Sequence, residues 1–332
     1  MDLSIFVLIL AIFLAYLYAF VSGFTDAANA IATSVGSRAL SPMAAVIMAA
    51  VLEIAGALSG TAVALTVGKG LVTLELITLS TVLAALLGAM TWSLITYYFG
   101  IPVSETHGLI GGIMGAALAA GGIQALYWEG LIKVLLAIVI SPCLGFLCGA
   151  FLMGAIYRLL HTANARKMGL LFKNLQRFSA GFMAFSHGRN DAQKPMGILV
   201  MILALHYGWE SPGIPLWVIL TVGLAAGLGV AAGGWRIIRT LGMKIAPLRT
   251  EQGFAAETSA ASVLQLASAL GIPVSTTQVI TAGIVGAGVA RRVSSVRWNV
   301  TFDIVLSWVL TLPATVFLGW LFTELLTCLS PL

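Results

Sequence analysis

The sequence predicts an all-α polytopic membrane protein made of two inverted-topology repeats, with interrupted helices and paired helical hairpins. Three observations predict it. Sixty per cent of the 332 residues are hydrophobic and 9% are charged, too little charge to cover the surface of a soluble domain of this length. Apolar stretches recur along the chain, each of about 20 residues and so able to cross about 30 Å of hydrocarbon. Short polar motifs occur twice: IPVSETHGLIGGIMGAA at 101–117 with IPVSTTQVITAGIVGAG at 272–288, and GFTDAANA at 23–30 with GRNDAQKP at 188–195. The members of each pair lie roughly 165–170 residues apart. The chain thus divides into a first repeat at 1–157, a basic linker at 158–177 and a second repeat at 178–332.

Residues 3–36 read as a retained membrane helix interrupted at SGFTDAANA, because Gly23 and a Thr-Asp pair suit lipid poorly unless the helix breaks around a polar cavity. Residues 42–67 form a second span carrying Glu53. Arms 75–99 and 103–122 meet at Gly100-Ile101-Pro102, where proline forbids a continuous helix. The second arm then starts near Ser104, with its first N–H groups facing forward. Residues 130–157 form another span. The second half repeats the plan: an interrupted segment at 178–205, a span at 214–235, arms 251–270 and 273–290 joined at Gly271-Ile272-Pro273, and a last span at 299–327.

The net charge of +5 is not an interleaved basic-aromatic patch, which argues against a nucleic-acid partner. The basic residues fall in connections: Arg38, five Arg or Lys within 158–177, the segment 236–249, and 291–297. Placing these in the cytoplasm leaves the connections near 69, 123–129 and 206–213, and both termini, outside. The first hairpin then opens outward and the second inward. Cys143, Cys148 and Cys328 lie in apolar stretches without metal spacing.

Ionisable residues within apolar stretches are costly unless paired or hydrated. Asp26 and Asp191 occupy equivalent positions in the two repeats, which sets them apart from Glu53, Glu257 and Asp303. Around them lie Thr25, Asn29, Asn190 and Gln193, and the hairpin tips add Ser104, Glu105, Thr106, Ser275, Thr276 and Thr277. Carboxylates with amides and hydroxyls suit a hard cation such as Na⁺. Hydroxyls and N–H groups at a helix start suit a tetrahedral oxyanion. An oxyanion beside two aspartates is repelled unless cations bind as well, so the site implies cation–anion symport. Arg189 and Lys194 add positive charge, pair with Glu105 or Glu257, or face the cytoplasm. His107 and His187 read as hydrogen-bonded packing residues or proton carriers.

The four motifs, in this order across essentially the whole chain, resemble the inorganic phosphate transporter (PiT) family of sodium- or proton-coupled permeases. Phe24-Thr25 stands where the family commonly has Ala-Asn, Gln278 where a histidine is common, and Glu105 where a hydroxyl residue is common. The resemblance implies a non-enzymatic secondary transporter in the cell membrane that binds inorganic phosphate and its coupling cations between the halves. Phosphate is then assigned to Thr25, Ser104, Glu105, Thr106, Asn190, Ser275, Thr276 and Thr277. Na⁺ is assigned to Asp26, Asn29, Asp191, Gln193, Thr106 and Thr277. No cofactor is implied beyond the coupling ion, with H⁺ as the alternative, and a homodimer is expected. Sulfate or metal–phosphate transport, a membrane-embedded hydrolase and a passive anion channel are the rival readings.

Overall fold

The computed structural model describes residues 3–208 and 213–329. The expected outer connection 206–213 and both chain ends therefore lie partly outside the described residues. Thirteen α-helices follow in order among them: α1 Leu3–Gly36, α2 Pro42–Ala57, α3 Ala62–Lys69, α4 Leu79–Phe99, α5 Glu105–Gly121, α6 Trp128–Leu160, α7 Ala165–Asp191, α8 Gln193–Tyr207, α9 Leu216–Ala232, α10 Trp235–Arg239, α11 Thr250–Ala269, α12 Thr276–Arg291 and α13 Trp298–Leu329. No strand occurs among the described residues beyond a single Val72–Leu126 bridge. The all-helical membrane expectation holds. Five helices are long and apolar enough to cross a bilayer, or seven if each of two bent pairs is one span. The outward faces of α6 and α13 carry Leu136, Val139, Leu147, Phe151, Val309 and Phe317, all exposed as lipid-facing side chains are.

The two elbows are built alike. Gly100 (φ 67°) and Gly271 (φ 68°) end α4 and α11 in the left-handed conformation, which glycine adopts without a Cβ penalty. At the first elbow Ile101 N–H donates to Thr96 and Gly100 N–H to Tyr97. At the second, Ile272 N–H donates to Ala267 and Gly271 N–H to Ser268. Pro102 or Pro273 then keeps the chain extended until a serine caps the next helix. Packing also corresponds across the halves: α5 packs chiefly on α13 and α12 on α6, while α1 packs on α9 and α7 on α2. Proline occupies the interior of both long partner helices, at Pro142 and Pro313.

Several expectations change. α1 runs unbroken through the polar motif. Thr25 turns its hydroxyl back to the Val21 carbonyl (2.9 Å), and Thr277 and Glu105 supply partners for the motif from other helices. The motif thus finds partners on other helices without opening α1, and only Asp26 Oδ2 and Asn29 Oδ1 stay unpartnered. In the second half the interruption is only Ala192, which keeps helical dihedrals. Pro195, lacking an N–H and crowding the Asp191 carbonyl four residues back, accounts for it. The sharp bends lie elsewhere. The expected span 42–67 bends by 71° between α2 and α3, and its counterpart by 58° between α9 and α10. The second bend sits at Gly233-Gly234, with Gly233 at φ 70°.

The segment 236–249 is not a plain loop. It forms α10 and a π-helical turn, Thr240–Lys244, and buries Ile237, Ile238 and Leu241. Most of the basic segment 158–177 is helical, since α6 ends at Leu160 and α7 begins at Ala165. A turn at 161–164 leads to Asn164, whose side chain caps α7 by accepting from Arg166 and Lys167 N–H, and α7 continues to Asp191. Gln176 from this stretch is fully buried. The connections gather in two clefts, one lined by Ser37, Tyr157, Phe172 and Arg249, the other by Lys69, Glu75, Tyr127 and Gly208.

Candidate substrate and ion site

The second elbow delivers the first turn of α12 into the molecule between α1 and the α7–α8 junction. Ser275 is the cap: its Oγ accepts from Gln278 N–H at 3.2 Å. That register turns the next two hydroxyls toward the two motif aspartates. Thr277 Oγ1 donates to Asp26 Oδ1 (3.1 Å) and Thr276 Oγ1 to Asp191 Oδ2 (2.9 Å). Asn29 Nδ2 donates to both threonines, at 3.2 and 2.9 Å. One hairpin tip thus ties together the aspartates of both repeats. Carboxylate oxygens of Asp26 and Asp191 and a ring nitrogen of His187 lie within 4.8 Å of one another.

The first elbow is the mirror of this in sequence but not in contacts. Ser104 caps α5 by accepting from His107 N–H at 3.1 Å. Thr106 Oγ1 donates across to the Val274 carbonyl of the other tip (2.8 Å), so the two tips touch. Glu105 accepts from Thr25 (2.8 Å) and Ser93 (2.6 Å), which occupies both of its oxygens with hydroxyl donors. Ser104 and Ser275 use a lone pair for capping and keep their O–H free to donate. The first N–H groups of α5 and α12 have no acceptor within their own helices. Both tips therefore present donors suited to an anion, and Asp26, bonded to the second tip through Oδ1, keeps Oδ2 unpartnered.

Not every expected ligand joins the cluster. Gln193 Oε1 accepts from Val63 and Ala64 N–H (2.8 and 3.2 Å), and its Nε2 donates to the Arg189 carbonyl (2.5 Å). It caps α3, whose own Thr61 makes no capping bond, and so holds the bent first-half span from the second half. Gln193→Ala is expected to lower the melting temperature in detergent, at a cost of about 1–3 kcal/mol for the two stranded donors. An unchanged melting temperature with a raised Na⁺ requirement would return Gln193 to the ligands. Asn190 satisfies its amide by donating to Asp191 Oδ1 (3.3 Å) and the Val274 carbonyl (3.2 Å) and accepting from Ser268 (2.9 Å). It braces the site.

Other participants were not legible as such. Lys194 pairs with Asp191 Oδ1 at 2.7 Å, not with Glu105 or Glu257. His187 bridges two elements: Nδ1 meets Glu53 Oε2 at 2.7 Å and Nε2 lies 3.4 Å from Asp191 Oδ2. The His187-Asp191 and Asp191-Lys194 spacings of four and three on one helix face are signals the sequence carried. Glu53 was visible as a carboxylate in an apolar span but not its partner, 134 residues away, and Ser93 gave no signal, since its bond to Glu105 crosses the first elbow. Glu257 forms a separate cluster, accepting from Thr33 (2.5 Å), Ser179 and Gln176. Asp303 is exposed.

The family follows from comparison of the whole chain with known proteins. Residues 22–170 and again 161–319 match the model of the phosphate transporter family. The chain belongs to the phosphate transporter family. This transporter is 41% identical over 323 residues to the probable low-affinity inorganic phosphate transporter of Bacillus subtilis (strain 168), covering 96% of this chain and 97% of that one. It is 44% identical over 302 residues to the protein of that description from Rhizobium meliloti (strain 1021), covering 90% of each. A solved structure described as the sodium-dependent phosphate transporter aligns with a TM-score of 0.90 and 29% identity, over 98% of this chain and 100% of that one. All three relatives are named as transporters, which agrees with a transporter in place of a hydrolase.

Proposed function

We propose that this transporter carries inorganic phosphate across the cell membrane in symport with Na⁺, by exposing one site alternately to either side. The observation that carries this reading is the chain Asp26–Thr277–Asn29–Thr276–Asp191, which joins the duplicated motifs of both halves. Asp26 Oδ2 and Asn29 Oδ1 are buried without a hydrogen-bond partner, a donor set of hard oxygens that suits Na⁺. Phosphate is read at the tip hydroxyls and the N–H groups of α5 and α12. Cations and anion then neutralise one another in a site that is costly for either alone. Asp26 and Asp191 are each 4% exposed, so the arrangement is closed and exchange requires the tips to part.

The site also separates similar anions. A monoprotonated phosphate dianion offers an O–H to a carboxylate, whereas sulfate leaves that acceptor unmatched. The two clefts that gather the basic and the less basic connections support the cytoplasmic placement of 158–177 and its neighbours. A homodimer is part of the proposal. Proton coupling is a second reading, favoured by His187 lying between Glu53 and Asp191.

The test is uptake of radiolabelled phosphate into proteoliposomes under an inward Na⁺ gradient, against equal K⁺ and pH gradients and excess sulfate. Concentrative uptake with Na⁺ alone, unaffected by sulfate, is the expected result. Uptake driven by pH alone transfers the coupling to protons. Accumulation of sulfate with no phosphate uptake overturns the substrate.

A further inference from the structure

The two aspartate motifs are equivalent in sequence but differ in one respect that bears on the coupling ions. Three residues after the motif aspartate, the first repeat has Asn29 and the second has Lys194. Lys194 is 1% exposed, and its ammonium lies 2.7 Å from Asp191 Oδ1. The other oxygen, Oδ2, accepts from Thr276 at 2.9 Å and faces His187 Nε2 at 3.4 Å. Asp191 is thus filled on both sides. Asp26 is not: Thr277 occupies Oδ1, while Oδ2 and the neighbouring Asn29 Oδ1 have no hydrogen-bond partner.

We propose that Lys194 is a tethered cation, its ammonium occupying at Asp191 the place that a free coupling cation takes at Asp26. The inference rests on the reading that the chain is a cation-coupled carrier, and adds that the two halves contribute unequally to coupling. A fixed positive charge on a short stem neutralises Asp191 without being carried. It also repels any second free cation at a separation where the interior screens weakly. Asp26 and Asn29 remain as two hard oxygen donors, the chemistry of an alkali-metal ion. The carrier therefore moves one cation fewer per phosphate than two symmetric motifs would, and concentrates phosphate less steeply for a given cation gradient.

The experiment compares the parent protein with Lys194→Asn, which restores in the second repeat the residue of the first, and with Lys194→Arg. Two readouts are taken as functions of Na⁺ concentration: initial phosphate uptake in proteoliposomes, and Na⁺-dependent thermal stabilisation of the purified protein in detergent. At limiting Na⁺, doubling its concentration is expected to double uptake at about first order in the parent and in Lys194→Arg, and to quadruple it, at about second order, in Lys194→Asn. The stabilisation curve of Lys194→Asn should steepen likewise. A first-order response in Lys194→Asn, or a second-order response in the parent, overturns the proposal. The parent measurement decides even if Lys194→Asn does not fold. Absence of parent phosphate uptake with a steepened stabilisation curve overturns the symport reading and leaves the tethered cation in place.

Discussion

Asp26→Asn is expected to abolish cation-coupled phosphate uptake while the protein still folds. Asparagine keeps the shape of the side chain, and its oxygen can still accept from Thr277 as Asp26 Oδ1 does at 3.1 Å. What disappears is the charge, and Oδ2, a buried oxygen with no hydrogen-bond partner beside Asn29 Oδ1, becomes an amide donor pointing at a cation site. A fall of about 100-fold or more in uptake, equivalent to about 2.7 kcal/mol, should accompany an unchanged elution profile and melting temperature. Radiolabelled uptake at the parent rate with intact Na⁺ dependence would reject the role given to Asp26. Asp191→Asn differs in kind. It leaves the Lys194 ammonium buried without its carboxylate, a loss of about 3–5 kcal/mol in comparable buried pairs, so there stability falls together with uptake.

Gly115→Val should have the largest effect on stability. A Cβ at Gly115 overlaps the Val316 carbonyl oxygen and comes within 2.9 Å of Trp320 N, and one at Gly319 overlaps the Gly112 carbonyl oxygen. Helices α5 and α13 therefore touch backbone to backbone, which leaves no flexible side chain to move aside. Overpacking of a core usually costs about 1–3 kcal/mol, and here the helices themselves must separate, so a loss above about 3 kcal/mol is expected. Because α5 begins at the first tip, the displacement also reaches Ser104 and Thr106. Gly154→Ala is the control: nothing lies within 4 Å of its Cβ, and no loss but a gain of up to about 1 kcal/mol is expected from the better helix former. Thermal unfolding of both variants in one detergent decides between them.

The features legible in the sequence are those determined by near neighbours. The elbows follow from Gly-Ile-Pro, and the tip registers from the serine caps. The doubled aspartates drew attention to the site through their equivalence alone. What escaped depends on partners far along the chain. The break expected in α1 does not occur, and the group that meets Asp26 Oδ1 there is Thr277, some 250 residues away. Gln193 read as a ligand because its amide suits a cation, yet the N–H groups of Val63 and Ala64 claim it first. The bend at Gly233-Gly234 had a local signal. The one at 58–61 depends on that same remote glutamine.

The exchange of partners between halves has a consequence for how the protein is made. A nascent chain emerges from its N-terminal end, so α4 and α5 are synthesised long before α13, on which α5 packs backbone to backbone. Until that helix arrives, eight helices later, the glycine face of α5 has only lipid or a temporary neighbour to rest on. Helix α6 likewise waits for α12. The first half is therefore an unfinished assembly and not a folded unit that later acquires a copy of itself. The two hairpin tips reach their final positions only when the closing helices dock.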